Sequence, residues 1–140
     1  MTPTPKWYTP VAVVALLWNL IGCAAYLSDV MMSAERLAAM SAVEQALYAS
    51  RPTWSVAATA IAVWFGALGC VGLILRHRWA LPVLAISLAG VIIQDIEIFL
   101  LSDGASIAGA GVYAAQGTVL VISVALVLLA RKAIANGWVR

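Results

Sequence analysis

Charge is what this sequence has least of. Only 10% of its 140 residues are charged, against about 25% in soluble domains, so it has too few polar side chains to cover a globular surface. Histidine is nearly missing: the single one, His77, lies between Arg76 and Arg78, which excludes paired haem ligands and a histidine-centred catalytic set. The two cysteines, Cys23 and Cys70, both fall in apolar segments, and no paired Cys or His spacing marks a metal site. On the spans assigned below they lie about 20 Å and about 8 Å from the same end of the bundle, too far apart for a disulfide. Both read as small packing residues. There is no glycine-rich phosphate loop, and the scattered basic residues make no nucleic-acid patch. Neither an enzyme nor a cofactor, a metal or a nucleic-acid partner is expected.

Apolar residues fill 64% of the chain. They gather into four runs, 10–32, 53–75, 80–101 and 109–130, each long enough as a helix to cross about 30 Å of hydrocarbon. The expected fold is an all-α membrane protein, one four-helix domain over 1–140 built of two hairpins. Lys6, Arg76, Arg78, Arg131, Lys132 and Arg140 fall on one side when the spans alternate, and only Arg36 and Arg51 on the other. The positive-inside rule then puts both termini in the cytoplasm. Trp7, Trp79 and Trp138 flank the inner ends and Trp54 an outer end, the usual depth for an amphipathic ring. His77, in the inner turn, reads as a lipid headgroup contact.

Two features near the start admit competing readings. Lys6 and Leu20-Ile21-Gly22-Cys23 resemble a lipoprotein signal, but Trp18 and Asn19 interrupt its apolar stretch, which favours a retained first span. Lys6-Trp7-Tyr8-Thr9-Pro10-Val11 also parallels Arg78-Trp79-Ala80-Leu81-Pro82-Val83. This is either a hairpin repeat about an axis normal to the membrane or the ordinary basic, Trp and Pro start of an inner helix end. Between the first two spans, Leu37, Met40, Val43 and Leu47 recur at near-helical spacing, predicting a short helix on the outer surface, either a flap or a plain connector.

Polar groups inside spans are costly, at least about 2.5 kcal/mol for a charge at the bilayer centre, and so mark function. Gln94, Asp95 and Glu97 stand in the third span, with Gln116 of the fourth and Thr59 of the second at similar depth and Tyr26 of the first a little nearer the surface. If they face inward they form a binding layer in the outer half of the bundle. Asp95 and Glu97 are about 200° apart around a helix and cannot share one narrow interior. Asp95, the deeper, is the candidate functional acid and proton acceptor, or else a clamp between helices. Asn19 comes level with Ser87 and Gly66 and is read as a helix-to-helix hydrogen bond or a ligand group. Ala62, Gly66, Gly69 and Gly72 make a small-residue packing face. All six acids lie in the outer half or outside, a bias that either draws a cationic or polyhydroxyl solute or simply mirrors the positive-inside pattern.

Trp18-Asn19-Leu20-Ile21-Gly22, Pro52-Thr53-Trp54, Gly66-Ala67-Leu68-Gly69 before Leu75-Arg76, and Ala133-Ile134-Ala135-Asn136-Gly137-Trp138 together resemble a family of small bacterial four-span proteins labelled as sugar transporters. The resemblance covers almost the whole chain, through short motifs. It implies a four-helix protein of the bacterial inner membrane with no well-established activity, and it carries over no catalytic residue. Asp95 and Glu97 depart from the family pattern, in which this part of the third span is apolar and aromatic around a Gln matching Gln94. That departure suits a specialised member that gained a ligand or a partner.

Two functions are therefore expected to compete. One is solute binding or transport by a homo-oligomer, since four short helices enclose little space and a dimer interface lined by Asp95, Gln94 and Gln116 would make a pathway. The other is a non-catalytic accessory subunit of a larger membrane complex. A polar cavity reaching Asp95 favours the first; a tight bundle with an exposed acid or small-residue groove favours the second.

Overall fold

The computed structural model describes residues 3–50, 52–101 and 110–139; Arg51, Asp103 and Arg140 lie outside them. The helices are α1 (Tyr8–Val30), α2 (Ala34–Ala39), α3 (Ala42–Ser50), α4 (Thr53–Ile74), α5 (Ala80–Ile96), continued by a π-helical turn over Glu97–Leu101, and α6 (Ala110–Ala135). Four of them, α1, α4, α5 and α6, are long and apolar enough to cross a membrane. Such runs become helices because a helix satisfies its own backbone groups where no water can. Three prolines sit where a helix tolerates them: Pro10 and Pro82 in the first turns of α1 and α5, and Pro52 just before α4.

Neighbours in the bundle follow the chain. α1 packs on α4, α4 most extensively on α5, and α5 on α6. Glycines set the close approaches. A Cβ at Gly90 would meet the backbone of Ala58 and Ala62 within 3 Å, at Gly72 it would meet Trp79 and Ala80, and at Gly69 Leu84. Ser87 Oγ ties the same seam by donating to Ala62 O at 2.6 Å. Outward faces carry Val14, Leu17, Ile21, Leu100 and Val121, each more than half exposed, a surface suited to lipid rather than water.

Both described chain ends and the α4–α5 turn gather at one end of the bundle, here the terminal end. Tyr8 is fully buried there and its hydroxyl donates to Leu73 O at 2.6 Å, in the last turn of α4. Its ring stands edge-on to Trp138 at 6.0 Å, and Lys132 Nζ lies 5.8 Å from the Trp138 ring and 5.9 Å from that of Trp7. Trp138 is buried in this cluster rather than lying in an interfacial belt, whereas Trp7, Trp79 and Trp54 are exposed, as are Trp18 and Trp64 within the spans. α4 and α6 end in the same motif. His77 N donates to Gly72 O and Arg76 N to Leu73 O around Arg76 (φ 61°), and Trp138 N to Ala133 O and Gly137 N to Ile134 O around Gly137 (φ 74°). The last apolar run ends at Ala130, but the α6 helix continues through Arg131 and Lys132 to Ala135, because basic residues favour a helix C-terminus.

The connection after α1 differs from the single surface helix its spacing predicts. Two short helices break at Met40, whose backbone is extended. Ser41 and Glu44 form a capping box that starts α3: Glu44 N donates to Ser41 Oγ at 3.2 Å, and Ser41 N to Glu44 Oε2 at 3.1 Å. Arg36 folds back to the end of α1, its guanidinium donating to Ser28 Oγ at 2.6 Å.

Candidate functional site

Packing is uneven along the bundle. The main core cluster, Tyr8, Ala12 and Ala15 with Leu73, Leu84, Leu126, Ala130 and Trp138 among its members, fills the half nearest the termini. Towards the α2 and α3 end the helices enclose a partly open cavity of about 320 Å³. All four long helices contribute polar groups to it. α1 brings Asn19, Tyr26 and Asp29, α4 brings Thr59, α5 brings Ser87 and Gln94, and α6 brings Gln116 and Ser123.

The floor of the cavity is a three-helix contact. Asn19 Nδ2 donates to Ala15 O at 2.9 Å and to Cys70 Sγ at 3.6 Å, while its Oδ1 and Ser87 Oγ stand where a Cβ on Gly66 would be. Asn19 thus joins α1 to α4 and borders the cavity at once. Gly66 permits this by having no side chain. Cys23 and Cys70 are free thiols; Cys23 Sγ donates to Val63 O at 3.4 Å.

Two of the lining hydroxyls keep acceptor capacity only. Thr59 Oγ1 donates to Ser55 O at 3.1 Å and Ser87 Oγ to Ala62 O, so each hydroxyl has used its one proton and can only accept. Gln116 Oε1 is buried with no partner. A buried acceptor without a donor costs about 1–3 kcal/mol, a cost that a ligand bearing hydroxyl or amino protons removes.

The structure separates Asp95 and Glu97 from this layer. Asp95 does not line the cavity. It sits half-buried in a shallow apolar groove of α5 and α6 with Ile92, Ile96, Phe99, Leu100 and Leu120, and its Oδ1 has no hydrogen-bond partner. Glu97 faces the other way. It is only 2% exposed, wedged against the start of α4, where Ser55 Oγ donates to its Oε2 at 3.1 Å. One step of about 100° per residue places Gln94 in the cavity and Asp95 beyond its wall. A pathway lined jointly by Gln94, Asp95 and Gln116 is not what the geometry makes: the two amides meet inside one chain. Ser123 and Asp29 also line the cavity, and neither stands out in the sequence as more than one polar residue in an apolar run.

Gly66, Gly69 and Gly72 all lie in helix contacts. His77 is exposed in the α4–α5 turn and stacks on Trp79 at 6.1 Å. Among the described residues no three His, Cys, Asp or Glu side chains come together as metal ligands. Comparison with protein-family models, with curated proteins and with solved structures returned no match.

Proposed function

We propose that this chain is a multi-pass protein of the bacterial inner membrane, with both termini cytoplasmic, that binds a small uncharged solute inside a single four-helix bundle. The observation that carries this reading is the cavity. Its volume of about 320 Å³ falls in the range of ligand pockets, and its polar lining comes from four helices rather than from a subunit interface. Orientation rests on Lys6, Arg76, Arg78, Arg131 and Lys132, which share the terminal end, while Arg36 stands at the other. The resemblance to small four-span proteins labelled as sugar transporters supports a hydroxyl-rich solute.

The test is thermal unfolding in lipid discs during titration with neutral polyols and hexoses. Binding at ten times the dissociation constant raises stability by about 1.4 kcal/mol, and Gln94→Leu with Gln116→Leu abolishes that rise. Flat titrations with polyols, hexoses and a monoacylglycerol alike overturn the reading.

A second reading, an accessory subunit, is favoured by one observation: Asp95 holds an unpartnered carboxyl oxygen in a groove on the outside of the bundle.

A further inference from the structure

The cavity is not closed on every side. Among the described residues α1 and α6 have no extensive packing on each other, nor do α1 and α5 or α4 and α6; Tyr8, Ala12 and Ala15 of α1 and Leu126, Ala130 and Ala133 of α6 belong to one buried cluster at the terminal end. Farther along, the cavity wall on the α1 side is made by Trp18 and Ile21, which are 40% and 69% exposed on the outside of the bundle. Opposite them on α6 stand Val119 and Ile122. The rim is thus apolar on both helices and exposed on its α1 side, with Val119 and Ile122 half-buried, at a depth where the surroundings of a membrane-spanning bundle are acyl chains. Water-soluble solutes have no reason to approach across such a rim.

We infer that the cavity takes its ligand from the bilayer: an amphipathic lipid whose hydroxyl-bearing, uncharged headgroup enters between α1 and α6 while its chain stays against Trp18, Ile21, Val119 and Ile122. This rests on the binding role proposed above and adds the ligand class and its route. Three observations converge on it. The rim is apolar, and its α1 side is exposed. The interior offers acceptors in need of protons, with Gln116 Oε1 unpartnered and the Thr59 and Ser87 hydroxyls already committed as donors. Among the described residues no Lys, Arg or His lines the cavity while the Asp29 carboxyl group does, so an anionic phosphate head would be buried beside an acid and without a counter-charge, a cost of several kcal/mol.

The experiment uses the full chain in phosphatidylcholine vesicles and a monoacylglycerol probe with a photoreactive diazirine in its acyl chain. Expected is saturable labelling concentrated on residues 18–25 and 119–123, displaced by unlabelled monoacylglycerol and not by phosphatidylglycerol. Gln116→Leu weakens apparent affinity roughly three- to tenfold, the scale of one lost hydrogen bond, and Ile21→Trp, which crowds the rim without touching the polar lining, slows labelling. Labelling spread evenly over all lipid-facing helices, or competed equally by phosphatidylglycerol, overturns the inference. If glycerol or glucose stabilises the protein while the lipid probe labels nothing specifically, the cavity remains a solute site and the bilayer route falls. If neither binds, both readings fall.

Discussion

At the scale of single residues, the most informative contact is Gly66 with Asn19 and Ser87. A polar side chain inside a span is costly unless it is hydrogen-bonded, and Asn19 donates to Ala15 O of its own helix and to Cys70 Sγ of α4, beside Gly66, which puts no side chain in the way. Gly66→Ala places a methyl group on Asn19 Oδ1 and 3.1 Å from Ser87 Oγ, and we expect a loss of about 1–3 kcal/mol from overpacking. Adding Asn19→Ala clears the obstacle, so the double variant should be more stable than Gly66→Ala alone, a coupling of about 0.5–3 kcal/mol measured by denaturant unfolding in micelles. Simple additivity of the two changes would mean that the backbone shifts instead. Depth counting along the spans already sets Asn19, Ser87 and Gly66 level with one another, and the structure brings them together. Asp95 shows where such counting stops. Rise per residue gives a level in the bundle, but which side of the wall a residue faces depends on where the next helix stands, and that is not written in one helix's own sequence.

The elements owe their ends to local chemistry more than to hydropathy. Four apolar runs are enough to locate the four long helices, whereas the break between α2 and α3 depends on Ser41 and Glu44, a capping signal hidden within a run of helical spacing. The last turn of α6 is similar: an apolar run marks where the lipid-facing stretch stops, and Gly137 marks where the helix stops. Two glycines of α6 and its cap make opposite predictions. Gly137 holds φ 74°, so Gly137→Ala should cost about 1–2 kcal/mol through left-handed strain and should loosen Trp138 from Tyr8. Gly117 is helical and a Cβ there meets nothing within 4 Å, so Gly117→Ala should leave stability unchanged or raise it by up to about 1 kcal/mol. Melting curves of the two variants, with Trp138 fluorescence for the first, decide the matter; equal losses would place an unseen contact against Gly117.

Across the whole molecule, the two acids of the third span answer to different neighbours. Glu97 is spent inside the chain, holding the end of α5 to the start of α4 through Ser55. Asp95 Oδ1 meets no hydrogen-bond donor among the described residues. A buried carboxyl oxygen without a donor lowers the stability of the isolated bundle, so Asp95→Leu should make the purified chain more stable, by about 1–3 kcal/mol, and Asp95→Asn should fall between the two. Because Asp95 lies outside the cavity, ligand binding should survive both substitutions. On the accessory-subunit proposal, Asp95 meets a donor from outside the chain, such as a basic or amide side chain on another helix. The measurement is the mass of the complex extracted from cells in native membrane discs. If the wild-type chain travels with a second protein that Asp95→Leu releases and Asp95→Asn partly keeps, the groove of α5 and α6 is its seat, and the bundle both binds a ligand and serves in an assembly. If the mass is unchanged and Asp95→Leu destabilises the chain, the carboxyl group is engaged within the bundle and the subunit reading is lost.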